Sequence, residues 1–237
     1  MKAMLLAAGR GERMRPLTDD CPKPLLKVRG RPLIVWHILN LVKAGIREIV
    51  INHAHLGQML EQELGDGSRY GAQLQYSAEA TALETGGGIA NALHLLGEQP
   101  FLVVSADIYV PHFNFAQCLD VLEEYDPWGN PLPLDQRDLG WIYLVKNPDF
   151  HPQGDFAMSL MGISNQGEPR YTFANIGVYR PEMFAHIQPG AHARMGDTLR
   201  AVADQGRLGG ELYTGIWHNV GTPEQLAALN APLYRAN

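Results

Sequence analysis

The sequence predicts an α/β fold with a mainly parallel sheet covered by helices, and three observations carry that reading. Apolar, β-branched runs alternate with helical patterns through the first half of the chain, one helical pattern shows clear three- and four-residue spacing, and beyond Asp126 a Pro-rich loop and hairpin-like runs replace the alternation. Strand patterns fall at residues 2–7, 48–52, 73–77, 101–105 and 141–145, with helical patterns between the first four. A helix is predicted over 32–44. Pro32 fixes φ near its start, Leu33, Ile34, Ile38, Leu41 and Val42 recur at helical steps, and Gly45 can close it. After the loop containing Pro127, Pro131 and Pro133, strands at 157–163 and 171–179 are joined by the turn Asn165-Gln166-Gly167, read as a hairpin-like insertion over the sheet's edge. A last helix covers 223–230, and no internal repeat is present. The 237 residues fit a single domain.

Composition narrows the function classes. Apolar residues at 46% and charged residues at 19% describe a folded chain. No apolar run approaches the roughly 18 residues that span a bilayer, and Arg10 interrupts the N-terminal run 3–9 before it could act as a signal segment. A soluble, cytoplasmic protein without a membrane partner is expected. Cys21 and Cys118, with no CxxC pair, favour neither a disulfide framework nor a Cys-type zinc site. The net charge of −6 argues against nucleic acid as a partner. Residues 1–31 nonetheless hold eight of the 19 Lys and Arg against three acids, a local +5, and the remainder carries −11. That concentration suits a compact polyanion, such as a nucleoside triphosphate, or a solvated basic loop.

The basic segment follows the first predicted strand as Leu6-Ala7-Ala8-Gly9-Arg10-Gly11-Glu12-Arg13-Met14-Arg15-Pro16-Leu17-Thr18. Open α/β sheets bind ligands at such strand ends. Met14 stands where GxGxxG needs its third glycine, and the chain has no GK[ST], so neither the dinucleotide fingerprint nor the P-loop is met. Gly9 and Gly11 let backbone N–H groups approach phosphate oxygens, or simply make a tight turn, while Arg13 and Arg15 offer guanidinium forks. Pro22-Lys23-Pro24-Leu25 presents Lys23 between two rigid residues.

The string LAAGxGxRMRPLT followed by PKPL resembles the opening motif of the sugar-1-phosphate nucleotidylyltransferases. The resemblance continues through Leu83-Glu84-Thr85-Gly86-Gly87-Gly88, Ser105-Ala106-Asp107, residues 173–179 and Trp217-His218-Asn219-Val220-Gly221-Thr222-Pro223. Within the family, LETGGG, His151-Pro152-Gln153-Gly154-Asp155-Phe156 and the compact length are most similar to the N-acetylmuramate α-1-phosphate uridylyltransferases of cell-wall recycling. The resemblance implies a Rossmann-like, nucleotide-diphospho-sugar transferase-like fold with a small β-rich sugar-binding insertion. It divides the single domain into a mainly nucleotide-binding part, 1–125, and a mainly sugar-binding part, 126–237.

The implied reaction is attack by a sugar 1-phosphate on the α-phosphorus of UTP, releasing pyrophosphate, with Mg²⁺ as cofactor. Mannose or glucose 1-phosphate with GTP, UTP or dTTP, or non-catalytic binding of a nucleotide sugar, are the alternatives. The attacking phosphate monoester, with a second pKa of about 6, is largely a dianion at neutral pH and needs no general base. By resemblance Ala8, Gly9, Gly11 and Glu12 contact the nucleotide, Arg13 serves the β and γ phosphates, and Lys23 serves the α-phosphate and the sugar phosphate. Asp107, after the apolar strand 101–105, is the expected Mg²⁺ ligand or a plain strand-end cap. The family's second metal position is usually Asp and here is Asn219, whose amide carbonyl brings no charge. Residues 79–88 are expected to form a loop lying along the base, with Glu79 and Gly86 as contacts. Ser105, Gly154, Asp155 and Asn175 are expected to face the sugar phosphate, and Gly154, Asp155 and Asn175 could equally be turn residues. His53 and His55 lack a third ligand nearby and read as hydrogen-bonded loop histidines.

Overall fold

The computed structural model describes residues 1–122, 132–133, 137–159 and 162–232. The apolar runs form the strands expected of them, and crossover helices join the first four. In chain order these are β1 (Ala3–Leu6), the short ribbon β2 (Lys27–Val28) and β3 (Arg31–Pro32), α1 (Leu33–Lys43), β4 (Glu48–His53), α2 (Gly57–Leu64), β5 (Gln73–Ala78), α3 (Glu84–Leu96) and β6 (Phe101–Ser105). The second half adds β7 (Ile108–Tyr109), β8 (Gly140–Val145), β9 (Phe156–Ser159), β10 (Gly162–Ser164), β11 (Arg170–Tyr179), α4 (Met195–Asp204), β12 (Leu208–Leu212), β13 (His218–Asn219) and α5 (Pro223–Asn230).

β5, β4, β1 and β6 lie side by side and parallel. The chain runs outward from β1 to β4 and β5, then returns to place β6 on the other side of β1. Strand order therefore reverses between β1 and β6, and the crevice beyond their carboxyl ends is where such sheets bind ligands. β11 pairs antiparallel with β6 through Ile176–Tyr179, and its start, at Arg170 and Tyr171, pairs with β9. β8 runs antiparallel to β11, and β12 is parallel to β8. Alternation along β1 divides the core: Ala3 and Leu5 face α1 residues such as Ile34 and Ile38, whereas Met4 joins Ile89 of α3 and Leu199 of α4.

The periodic helix at 32–44 is α1, and Gly45, at φ 87, closes it with its N–H donating to the Val42 carbonyl at 3.0 Å. The helix at 223–230 is α5, begun by a Thr222–Gln225 capping box. The single strand expected at 157–163 is instead two, β9 and β10, paired antiparallel, and β9 rather than β10 meets β11. An apolar alternation does not reveal a reversal made inside it; Gly162, at φ 107, is its mark. Pro127, Pro131 and the 125/126 division lie outside the described residues. No helix among the described residues is long and apolar enough to cross a membrane.

Candidate active site

The loop after β1 is fixed at both ends. The Ala7 N–H donates to Asn52 Oδ1 at 2.9 Å, and Asn52 Nδ2 donates to Glu79 Oε1 at 2.7 Å. Glu79 Oε2 accepts from the Leu83 N–H at 2.9 Å, so a buried chain of hydrogen bonds crosses β1, β4 and β5 to the start of α3. Further on, Gly11 adopts φ 67 and packs so closely that a Cβ there would lie 3.0 Å from Thr18 Cγ2 and 3.2 Å from Lys23 Cβ. Met14, fully buried, pins the single turn Glu12–Met14, leaving Gly9, Glu12 and Arg13 exposed and Ala8 half-buried.

The loop expected over 79–88 is shorter than predicted, because α3 begins at Glu84 and takes in Gly86. The glycines serve close approach. A Cβ on buried Gly86 would lie 3.0 Å from the Ala193 carbonyl oxygen, and one on Gly88 would press into the Asn52–Glu79 contact. Gly86 and Gly87 let the helix settle against the 191–194 segment, and Thr85 Oγ1 accepts the Met195 N–H at 3.1 Å. Glu79 thus has both oxygens engaged inside the protein.

Lys23 is buried between Pro22 and Pro24, and its Nζ lies 2.6 Å from Asp107 Oδ2. Ser105 Oγ donates to Asp107 Oδ1 at 2.8 Å. Burial alone would raise the Asp107 pKa, but the Lys23 ammonium and the hydrogen bonds from Lys23 and Ser105 outweigh it and hold the carboxyl below its ordinary value. Asn219 enters through β13, which pairs with β7 so that Asn219 stands opposite Ile108, while the Val220 N–H donates to the Asp107 carbonyl at 2.9 Å. A Cβ on Gly221 would lie 3.4 Å from both Arg13 Nη2 and Asn219 Nδ2, which brings the Arg13 guanidinium to the same place. Arg13, Lys23, Ser105, Asp107 and Asn219 therefore converge at the β1/β6 crevice.

No group of three or more His, Cys, Asp or Glu suited to a metal occurs among the described residues. Asp107 and Asn219 instead supply two hard oxygen donors, one charged. Mg²⁺ is commonly held by one or two carboxylates with substrate phosphates and water completing the shell, so this donor set fits it. His53, by contrast, is buried against Glu61, with Nε2 2.7 Å from Oε1.

Beside the crevice lies a cavity of about 250 Å³ whose wall includes His151, Asp155, Asn175, Arg200, Trp217 and Asn219. Gly154 is a turn residue at φ 65 that aims Asp155 inward. The Asp155 carboxylate accepts the Phe173 N–H at 2.8 Å on Oδ2, and Oδ1 lies 3.1 Å from His151 Nε2. Asn175, at φ 59, occupies the irregularity in β11 between Phe173 and Gly177, a left-handed conformation that asparagine tolerates better than most residues. Trp217 braces it, its indole N–H donating to the Ala174 carbonyl at 2.9 Å. Ser105 does not line this cavity; it acts on Asp107. Trp217, Asn52 and Arg200 carry no signal of these roles in the local sequence. Their parts depend on pairing and packing that no local motif displays.

A family model described as nucleotidyl transferase matches residues 2–128. The chain is 48% identical, over 94% of each chain, to the N-acetylmuramate alpha-1-phosphate uridylyltransferase of Neisseria meningitidis serogroup B. It is 34% identical to the protein of that name from Caulobacter vibrioides, over 99% of this chain and 97% of that one. Its fold is similar to that of a Bacillus anthracis crystal structure assigned as a glucose-1-phosphate thymidylyltransferase, in complex with a sucrose, with a TM-score of 0.78 at 21% identity over 97% of this chain and 94% of that one.

Proposed function

This chain is a member of the nucleotidyl transferase family, and on that premise we propose that it transfers uridylyl from UTP to N-acetylmuramate 1-phosphate, forming UDP-N-acetylmuramate and pyrophosphate. The substrate reading rests on the 48% identity over nearly full length to the Neisseria protein of that name. We further propose that the reaction runs in the cytoplasm and serves cell-wall recycling.

The chemistry asks for two polyanions held together and for stabilisation of the charge that develops on the α-phosphoryl group and the departing pyrophosphate. The loop from Ala8 to Glu12, exposed at Gly9, Arg10 and Glu12, offers backbone N–H groups to the phosphates, with Arg13 on the β and γ groups. Lys23 takes the α-phosphate and the attacking oxygen, exchanging its carboxylate partner for phosphate oxygens. Asp107, released from Lys23, and Asn219 would hold Mg²⁺, which when bound neutralises charge on the phosphates. Asp155 and Asn175 hold the sugar with its phosphate towards the Asn219 end of the cavity. No side chain accepts a proton from the nucleophile, because the sugar phosphate is already a dianion.

The test is a matrix of UTP, GTP and dTTP against the 1-phosphates of N-acetylmuramate, mannose and glucose, read by pyrophosphate release. UTP with N-acetylmuramate 1-phosphate is expected to have the highest kcat/KM. A higher value for another pair overturns the substrate assignment, and nucleotide binding without pyrophosphate release from any pair overturns the enzymatic one.

A further inference from the structure

Arg200 projects from α4 into the wall of the cavity that holds Asp155, Asn175 and Asn219. Its guanidinium lies over the Phe156 ring, 5.5 Å from the centroid, a contact that orients the planar fork without neutralising it. Among the described residues no carboxylate comes within ion-pair distance of it. Asp155, on the same wall, is already engaged by the Phe173 N–H and by His151. The cavity therefore presents a positioned cation that the transfer chemistry does not use.

Its position along the sheet separates it from the reacting phosphates. Phe156 pairs with Tyr171 of β11, and Asn175 lies four residues further along that strand, next to Ile176, where pairing with β6 begins. At the strand rise that span is on the order of 10 Å. Asn219, beside Asp107, marks the phosphate end of the cavity. A ligand spanning both ends carries a phosphate at one and a second anion at the other. N-acetylmuramate differs from N-acetylglucosamine by a lactyl ether whose carboxylate is ionised at neutral pH, and a guanidinium fork matches a carboxylate with two parallel hydrogen bonds.

We propose that Arg200 binds the lactyl carboxylate and thereby selects N-acetylmuramate 1-phosphate over N-acetylglucosamine 1-phosphate. The inference rests on the substrate reading above and deepens it. It is tested by kcat/KM for both sugar phosphates with UTP in the unaltered protein, Arg200→Met, Arg200→Lys and Lys146→Gln, the last in the adjoining cavity of about 650 Å³. Arg200→Met is expected to raise KM for the muramate ester by roughly 10- to 100-fold, leaving kcat, the KM for UTP and the rate with N-acetylglucosamine 1-phosphate nearly unchanged. Arg200→Lys is expected to fall between, and Lys146→Gln to have no effect on discrimination. An equal loss for both sugars would place Arg200 on the phosphate and overturn the assignment, as would an unchanged KM or a loss confined to Lys146→Gln. Failure of the unaltered protein to use N-acetylmuramate 1-phosphate overturns the substrate reading and this inference together, whereas good turnover with no effect of Arg200→Met overturns this inference alone.

Discussion

The Lys23 ammonium and the Asp107 carboxylate lie 2.6 Å apart, although the proposed reaction would give one to phosphate oxygens and the other to a cation. Each satisfies the other in the absence of substrate. Without its partner the Asp107 carboxylate would be pushed by burial towards its protonated form. The pairing holds the Asp107 carboxyl below its ordinary value, and in the proposed reaction an arriving triphosphate exchanges one set of charge-assisted contacts for another.

Lys23→Met is expected to lower turnover by about 100-fold or more, since it removes charge stabilisation at the reacting phosphates. It should also raise the Asp107 pKa. Because that carboxyl sits below its ordinary value of 3.8 in the folded protein, it adds stability that is complete above that value and lost as the pH falls through the depressed one. Carboxyl titration by NMR on both proteins checks the shift; an Asp107 that titrates identically in each contradicts the pairing.

Glu79→Gln separates two roles for a residue expected at the base. Both Glu79 oxygens accept N–H donors, from Asn52 and from Leu83. A glutamine turns one of them into a donor facing a donor, at a cost of about 1–3 kcal/mol for the unsatisfied buried group. The variant should unfold at lower denaturant concentration, and its KM for the nucleotide should rise as the Ala7 anchor loosens. Unchanged stability with an altered choice among UTP, GTP and dTTP would instead put Glu79 on the base.

Much of this architecture was legible because it is local. The loop from Leu6 to Leu25 stands directly after a strand, and the spacing in α1 needs nothing beyond its own turns to be recognised. Asp107 could be placed at the sheet's edge because an apolar strand precedes it. What escaped depends on distant partners. β12, Leu-Gly-Gly-Glu-Leu, has two glycines, and its strand character comes from lying beside β8. β7 and β13 are two residues each and exist through each other, yet they carry Asn219 to Asp107. Glu79 read as a loop residue because its partners lie on β4 and at the start of α3. Arg200 sits on a helix that belongs to no motif.

His37 gives the protein an acid sensitivity of its own. It is fully buried on α1, with Nε2 2.9 Å from the Ile108 carbonyl, directly behind the Asp107 strand end. Burial pushes its pKa down to about 4, against smaller upward effects of that hydrogen bond and of Asp107. The unfolded chain binds this proton more readily, so stability is lost as the pH falls from about 6.5 to about 4, by about 3 kcal/mol in all. Urea unfolding across that window should show a steeper fall for the unaltered protein than for His37→Gln, which does not titrate. Parallel pH profiles would exclude a depressed His37 pKa.

Asn219 stands where the family usually has a carboxylate, and its place opposite Ile108, immediately after Asp107, makes the substitution chemically consequential. A neutral amide leaves the cation position with one carboxylate, so the free ion should bind weakly and arrive mainly as its triphosphate complex. Asn219→Asp adds a charge there, close also to the Arg13 guanidinium across Gly221. At the dielectric of a wet crevice, the added attraction should tighten Mg²⁺ by an amount on the order of 1 kcal/mol. The maximal rate should stay similar or fall, because the new carboxylate repels the incoming sugar phosphate and competes for Arg13. A Mg²⁺ titration of initial rates at fixed UTP reads both effects: the half-saturating concentration should drop several-fold in the variant, and a value that does not drop removes Asn219 from the metal's neighbourhood.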